Sequence, residues 1–126
     1  VEALRERYPT IQLPTFIPDG YTLQDAMVAR TSGSIDVHVI YWNQDEIFNI
    51  DMMQYNPKLF GTNAYIEYDE GSQQYVTENG ISYCFATNID DNIAMWTVPD
   101  KEFDKFYYIG LPKQAGDIKE IVFSFQ

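Results

Sequence analysis

From residue 22 to residue 110 the chain alternates apolar and polar side chains in short runs, each closed by Gly, Asn, Asp or Pro. A period of two is the mark of a strand with one covered and one solvated face, and turn residues at this spacing join strands as hairpins. The first strand is predicted over 23–30, and Ser32, Gly33 and Ser34 turn it into a second over 35–42. In the second strand Ile35, Val37, Val39 and Tyr41 share one face, while Asp36, His38, Ile40 and Trp42 share the other. Asn43, Gln44 and Asp45 turn the chain into a third strand, 46–55, with Phe48, Ile50 and Met52 on one face, and Pro57 closes it.

Two further segments, 63–69 and 73–77, flank a loop at Glu70, Gly71 and Ser72. The pair Asn79-Gly80 then gives the strongest hairpin signal in the chain, because both residue types tolerate the positive φ angles of a type I′ turn. A strand over 81–88, a turn at Asp90, Asp91 and Asn92, a strand over 93–98 bearing Trp96, and a short strand over 106–109 ending at Gly110 complete the pattern. The result is an antiparallel meander of about six to eight strands. Ahead of it, residues 2–8 are rich in helix formers and Pro9 stops them, so a short N-terminal helix is expected. Pro14, Pro18 and the Pro18-Asp19-Gly20 turn signal make the rest of 1–21 an extended lead-in.

After Gly110 the period changes. Ala115, Ile118, Ile121, Val122 and Phe125 fall on one helical stripe, with Lys119, Glu120 and Ser124 opposite, and Pro112 suits a helix's first turn. One helix over 112–125 is predicted, but Gly116 inside it costs about 1 kcal/mol against Ala, so Asp117 is an alternative start as N-cap. The stripe must be buried, and the only large apolar surface nearby is one face of the meander. The expected fold class is α+β: one domain spanning 1–126, a curved antiparallel β-meander over 22–110 with the C-terminal helix packed on one face.

Composition supports a β reading and narrows the function. The 126 residues are 45% hydrophobic and 16% aromatic, with 10 Tyr and 8 Phe, and aromatic residues favour pleated, half-buried surfaces. A formal net charge of −11 repels polyanions, so nucleic acid is not an expected partner, and there is no Lys/Arg cluster for anionic lipid. Cys84 is the only cysteine, so no internal disulfide is available, and its apolar neighbours suggest a small buried hydrophobe. The longest apolar stretches, such as 39–42 and 93–96, are far too short to span a bilayer, so no direct membrane insertion by this segment is expected. The first residue is Val1 rather than Met, which reads as a processed or trimmed piece whose leader or anchor would lie upstream.

No catalytic residue, cofactor or metal is assigned. His38 is the only histidine and sits mid-strand without a carboxylate that the pattern places opposite it. The pairs Asp45-Glu46, Asp69-Glu70 and Asp90-Asp91 fall at turns, where Asp is favoured for its bonds to nearby backbone amides. The loop 88–92 offers oxygen ligands but lacks the glycine and terminal glutamate of a calcium loop. Phosphate-cradling, dinucleotide and zinc spacings are absent. What remains is aromatic surplus: Trp42, Tyr55, Tyr83, Trp96 and Tyr107 are the candidate binding residues, since Tyr and Trp are enriched where proteins meet proteins or apolar ligands.

The run Phe16-Ile17-Pro18-Asp19-Gly20-Tyr21-Thr22-Leu23, with Ile40-Tyr41-Trp42-Asn43 and Ile81-Ser82-Tyr83, resembles an uncharacterised domain family of Gram-positive bacteria. That family forms the extracytoplasmic C-terminal part of single-pass membrane proteins, some of them similar to anti-sigma factors. The resemblance covers most of the chain from Phe16 and implies a meander, an Asn-Gly hairpin leading to a tryptophan-bearing strand, and a closing helix. It brings no catalytic residue, and it implies a membrane-anchored or secreted precursor. The segment Lys113-Gln114-Ala115-Gly116-Asp117 departs from the acidic helix start usual in that family.

The leading expectation is therefore a non-catalytic extracytoplasmic binding or sensory/regulatory module, contacting a protein or a small apolar ligand through aromatic residues of the sheet face. The alternative is a carrier that holds a lipid or other apolar ligand between sheet and helix, which needs a pocket there. A third reading, a small hydrolase built on the acidic turns, needs carboxylates converging in a cleft.

Overall fold

The computed structural model describes residue 6 and residues 12–31, 34–44, 46–55, 68–99 and 104–126, without the side chains of residues 31, 34 and 51–55. All but residue 6 of the helix expected over 2–8, the turn residues Ser32 and Gly33, Asp45, Pro57 and most of the segment 63–69 lie outside the described residues.

Among the described residues seven antiparallel strands form one sheet: β1 Thr22–Thr31, β2 Ser34–Trp42, β3 Ile47–Tyr55, β4 Gln74–Glu78, β5 Ile81–Thr87, β6 Asp91–Val98 and β7 Asp104–Pro112. The period of two read from the sequence thus yields strands within a residue or two of their expected ends, except at the end of β7. The spatial order is β1-β2-β3-β7-β6-β5-β4, so two runs of hairpins meet where β3 pairs with β7 rather than with β4. At the β4–β5 hairpin Asn79 has φ 52° and Gly80 φ 78°, the two positive values that a type I′ turn requires.

The two faces of the sheet follow from the register. Tyr83 pairs with Trp96 and Trp96 with Tyr107, while Phe85 pairs with Ala94 and Ala94 with Ile109. These rows, with Val37, Val39, Tyr41, Phe48 and Ile50, make the core face. The opposite, outer face carries His38, Ile40 and Trp42 on β2, Cys84 on β5 and Tyr108 on β7.

Two corrections concern the C-terminal third. The last strand runs on past Gly110 to Pro112. A Cβ at Gly110 would lie 3.2 Å from the Tyr108 Oη, so the glycine admits a neighbouring ring into the strand instead of ending it. The predicted long helix is also much shorter. Lys113–Ala115 forms one 3-10 turn, Gly116 follows at φ 133°, and the helix proper, α1, is Ile118–Val122. Asp117 is its N-cap, accepting a bond from the Lys119 amide at 2.9 Å, as the alternative start predicted. Phe123 and Ser124 make a turn, with the Ser124 and Phe125 amides donating to the Ile121 and Val122 carbonyls, and the chain then meets the lead-in: Pro14 and Phe125 form a bridge, and Leu13 and Gln126 exchange both backbone bonds at 3.1 and 3.0 Å. The lead-in takes the Gln126 amide and the Ser124 and Gln126 carbonyls, which another helical turn would have used, and the same pairing buries Leu13.

The apolar stripe keeps its predicted role in this shorter helix. Ile118, Ile121 and Val122 are buried and belong to the same core cluster as the sheet residues. Complete burial of an Ile such as Ile121 contributes about 1.5–3 kcal/mol relative to leaving it in water. The rings of Phe123 and Phe125 then face the sheet, Phe123 against Tyr83 at 5.2 Å and Phe125 against Trp96 at 5.0 Å between centroids.

Candidate functional site

The five aromatic candidates do not come together. Tyr83, Trp96 and Tyr107 lie side by side on β5, β6 and β7, but on the core face. Trp96 and Tyr107 are enclosed, at 4% and 0% exposure, so they serve core packing and offer nothing to a partner. Tyr83 is half-buried, wedged between Trp96, Phe85 and Phe123. Tyr55 ends β3, and its side chain lies outside the described part.

Trp42 is the exception. It lies on the outer face at the end of β2, 42% exposed, and its cross-strand partner Ile47 is 54% exposed. The loop joining them is built by Asn43, whose Oδ1 accepts from the Glu46 amide at 2.8 Å, while the Asn43 amide donates to the Glu46 carbonyl at 2.9 Å. These bonds hold the ends of β2 and β3 in register, so the two apolar side chains stand next to each other in water.

Glu46 also ties this end of the sheet to both flanking segments. Its Oε2 accepts from the Tyr21 hydroxyl at 2.7 Å, and its Oε1 accepts from the Gln114 side-chain amide. Burial, then the hydrogen bond to Glu46 and the charge of that carboxylate, push the Tyr21 hydroxyl up to about 12. Tyr21 packs edge-on against Phe48, which stacks on Tyr41 at 4.8 Å. The surface pair Trp42 and Ile47 is therefore mounted on a rigid aromatic and hydrogen-bonded base.

A second exposed apolar pair, this one of two aromatic rings and missed by sequence reasoning, flanks α1. Phe16 and Phe123 are 39% and 41% exposed and border a shallow groove of about 480 Å³ with Asp117, Lys119, Glu120 and Ser124. Ser124 fixes the groove floor: its hydroxyl accepts from the amides of Thr15 and Phe16 at 3.2 and 3.1 Å. The signal was present in the sequence as Phe123, which falls off the stripe that Ile118, Ile121 and Val122 bury.

The interior beneath α1 is filled. Trp96 stacks on Tyr107 at 5.2 Å with planes 11° apart, and Phe125 closes over both rings. Burial pushes the Tyr107 hydroxyl up, and its oxygen accepts from the Gln12 amide at 3.1 Å. The turn bonds at the acidic pairs come from other groups: Asn88 Oδ1 accepts from the backbone amides of Asp90 and Asp91, and the Asp69 backbone carbonyl accepts from the Ser72 hydroxyl. Among the described residues no three His, Cys, Asp or Glu side chains gather as metal ligands, and no helix is long and apolar enough to cross a membrane. No family model matches the chain, and no curated protein or solved structure matches it either.

Proposed function

We propose that this chain is a non-catalytic binding or sensory module that contacts a protein partner through the outer sheet face around Trp42. The observation that carries the proposal is the pairing of Trp42 with Ile47, two large apolar side chains held in water at 42% and 54% exposure by a loop hydrogen-bonded on both sides. Tryptophan set among apolar neighbours on a rigid support is the common centre of protein-binding surfaces. The position of the module outside the cytoplasmic membrane, as part of an anchored or secreted precursor, belongs to the same proposal and is supported by the family resemblance. So does curvature of the sheet around the C-terminal segment, which the right-handed twist of strands favours.

The carrier reading is less well supported. The space between sheet and helix is taken up by Trp96, Tyr107, Phe125 and Ile121, which leaves a cargo to displace core side chains.

Peptides selected from a displayed library on the 126-residue chain test the proposal. The selected binders are expected to lose at least about tenfold in affinity to Trp42→Ser and Ile47→Ser variants with near-unchanged melting temperature. Binders that tolerate both substitutions would remove the outer-face surface as the working part. Native mass spectrometry of the purified chain addresses the carrier: a co-purifying lipid would favour it over the surface reading.

A further inference from the structure

Among the described residues the sheet is open, and its two edges differ. The edge strand β4 has five residues, whereas β1 has ten, with no proline and no lysine. Residues 22–30 are all exposed, Met27 and Val28 among them. Thr31 and Ser34 pair across a two-residue connection, which makes them a hydrogen-bonded pair, and alternation back along β1 gives the backbone groups of Ala29, Met27 and Asp25 to β2. Those of Ala26 and Val28 therefore point away from the sheet. The Ala26 amide accordingly donates to the neighbouring Asp25 Oδ1, at 2.8 Å. An exposed edge of this length, regular from Asp25 to Thr31, is a template for one more strand.

The side chains say which strand fits. Asp25, Met27 and Ala29 lie along the outer face of β1, and Ala26, Val28 and Arg30 along the core face. Ala29 is opposite Asp36 of β2, and its single methyl group leaves that carboxylate open to a long side chain on an added strand, two strand spacings or about 10 Å away. The Asp36 Oδ1 is buried without a hydrogen-bond partner among the described residues, an acceptor that remains to be met. The outer face at this edge thus holds one acid at Asp25 and another beside Ala29, four residues on, with Met27 and His38 between them. The chain's net charge of −11 draws cations towards it.

We propose that β1 takes up an extended segment of a protein partner as an added antiparallel strand, and that the segment reads basic-apolar-apolar-apolar-basic. Its basic residues stand opposite Ala29 and Asp25. The first reaches over Ala29 to Asp36, and the second draws the Asp25 carboxylate off the Ala26 amide, which the new ladder then uses. The three apolar residues stand opposite Val28, Met27 and Ala26. A second copy of the chain fits less well, because two molecules of charge −11 repel and β1 offers no basic pair at this spacing. The site lies on a different strand from Trp42 and Ile47, so it goes beyond the preceding proposal and either can fail alone.

Titration of the ¹⁵N-labelled 126-residue chain with the peptide acetyl-Thr-Lys-Val-Val-Val-Lys-Thr-amide tests the site by NMR. The Ala26 and Val28 amide signals are expected to shift and to saturate at or below about 1 mM. Three altered peptides should each bind at least about tenfold more weakly: one with glutamate for both lysines, one with its centre reordered to Val-Lys-Val-Lys-Val, and one N-methylated at the first and third valines, whose amides would face β1. Val28→Lys and Asp36→Asn should each weaken the original peptide by at least about threefold, whereas Trp42→Ser should leave its affinity unchanged. If the two signals do not move, if the reordered or N-methylated peptide binds equally well, or if Trp42→Ser weakens binding as much as Val28→Lys does, the proposal is overturned. A peptide-free chain that sediments as a dimer, and as a monomer once it carries Val28→Lys, would overturn it in favour of a second copy.

Discussion

Trp96 and Tyr107 stack with their planes 11° apart and 5.2 Å between ring centroids, joining β6 to β7 beneath the C-terminal segment. Phe125 meets both rings edge-on, at 5.0 and 5.9 Å, and the Tyr107 hydroxyl accepts from the Gln12 amide. The stack is therefore the point at which the sheet, the lead-in and the last residues of the chain hold one another.

Substitution at this stack should be among the most damaging available. Trp96→Ala is expected to cost about 3–5 kcal/mol, because it removes a buried ring and leaves a cavity between Tyr83, Tyr107 and Phe125. Tyr107→Phe keeps the ring and strands the Gln12 amide, for a loss of about 1–3 kcal/mol. Urea denaturation at neutral pH measures both, and an equal cost for the two would contradict the assignment of ring and hydroxyl to separate roles.

Trp42 offers the opposite case. With its side chain 42% exposed and outside the core cluster, Trp42→Ala should lower stability by no more than about 1 kcal/mol. The two tryptophans should also separate in fluorescence: acrylamide quenches Trp42 readily and Trp96 poorly. A wild-type quenching curve without two components would contradict their placement.

Tyr21 should be among the last tyrosines to ionise. Its hydroxyl is pushed to about 12 by burial, by the bond to Glu46 and by that carboxylate's charge, against 10.0 for the free side chain. Because the folded value lies above the unfolded one, this contribution to stability is fully present below about pH 10 and is lost as pH rises to about 12. Glu46→Gln should lower the Tyr21 value without returning it to 10.0, since the effect of burial remains. Spectrophotometric titration near 295 nm, with Tyr21→Phe to assign the transition, reads the shift.

The β4–β5 hairpin depends on one glycine. Gly80 sits at φ 78°, where an added Cβ costs about 1–2 kcal/mol through backbone strain even though open space surrounds it. Gly80→Ala should therefore destabilise by that amount, whereas Gly80→Asn should be milder. Denaturation midpoints for the two variants check the order.

Loss of the α1 cap is a local effect. Asp117→Ala frees the Lys119 amide and should cost about 0.5–2 kcal/mol, most of which Asp117→Asn restores. Thermal unfolding of the two variants measures the difference.

The strands were legible because alternation is local. Val37, Val39 and Tyr41 share a face in any strand that contains them, and Asn79-Gly80 carries its turn in its own backbone preferences. The cap at Asp117 was legible for the same reason. The β3–β7 pairing was not, since nothing in either strand's own residues names its partner across the intervening chain. The length of the last helix was also hidden. Ala115 and Phe125 fit its stripe, but Gly116 leaves helical geometry and Phe125 is drawn into the bridge with Pro14.

The candidate site divides along the same line. Alternation sorted Trp42 and Val37 onto opposite faces of β2, but it could not say which face would be covered. That choice was made when α1 and residues 124–126 settled on the face holding Tyr83, Trp96 and Tyr107, which turned three candidate contact residues into packing and left Trp42 in water. The sequence by itself determined the strands, the Asn79-Gly80 turn and the Asp117 cap, all of which depend on interactions within a few residues. Only the tertiary structure decided which aromatics remain exposed, because that outcome rests on contacts between residues far apart along the chain.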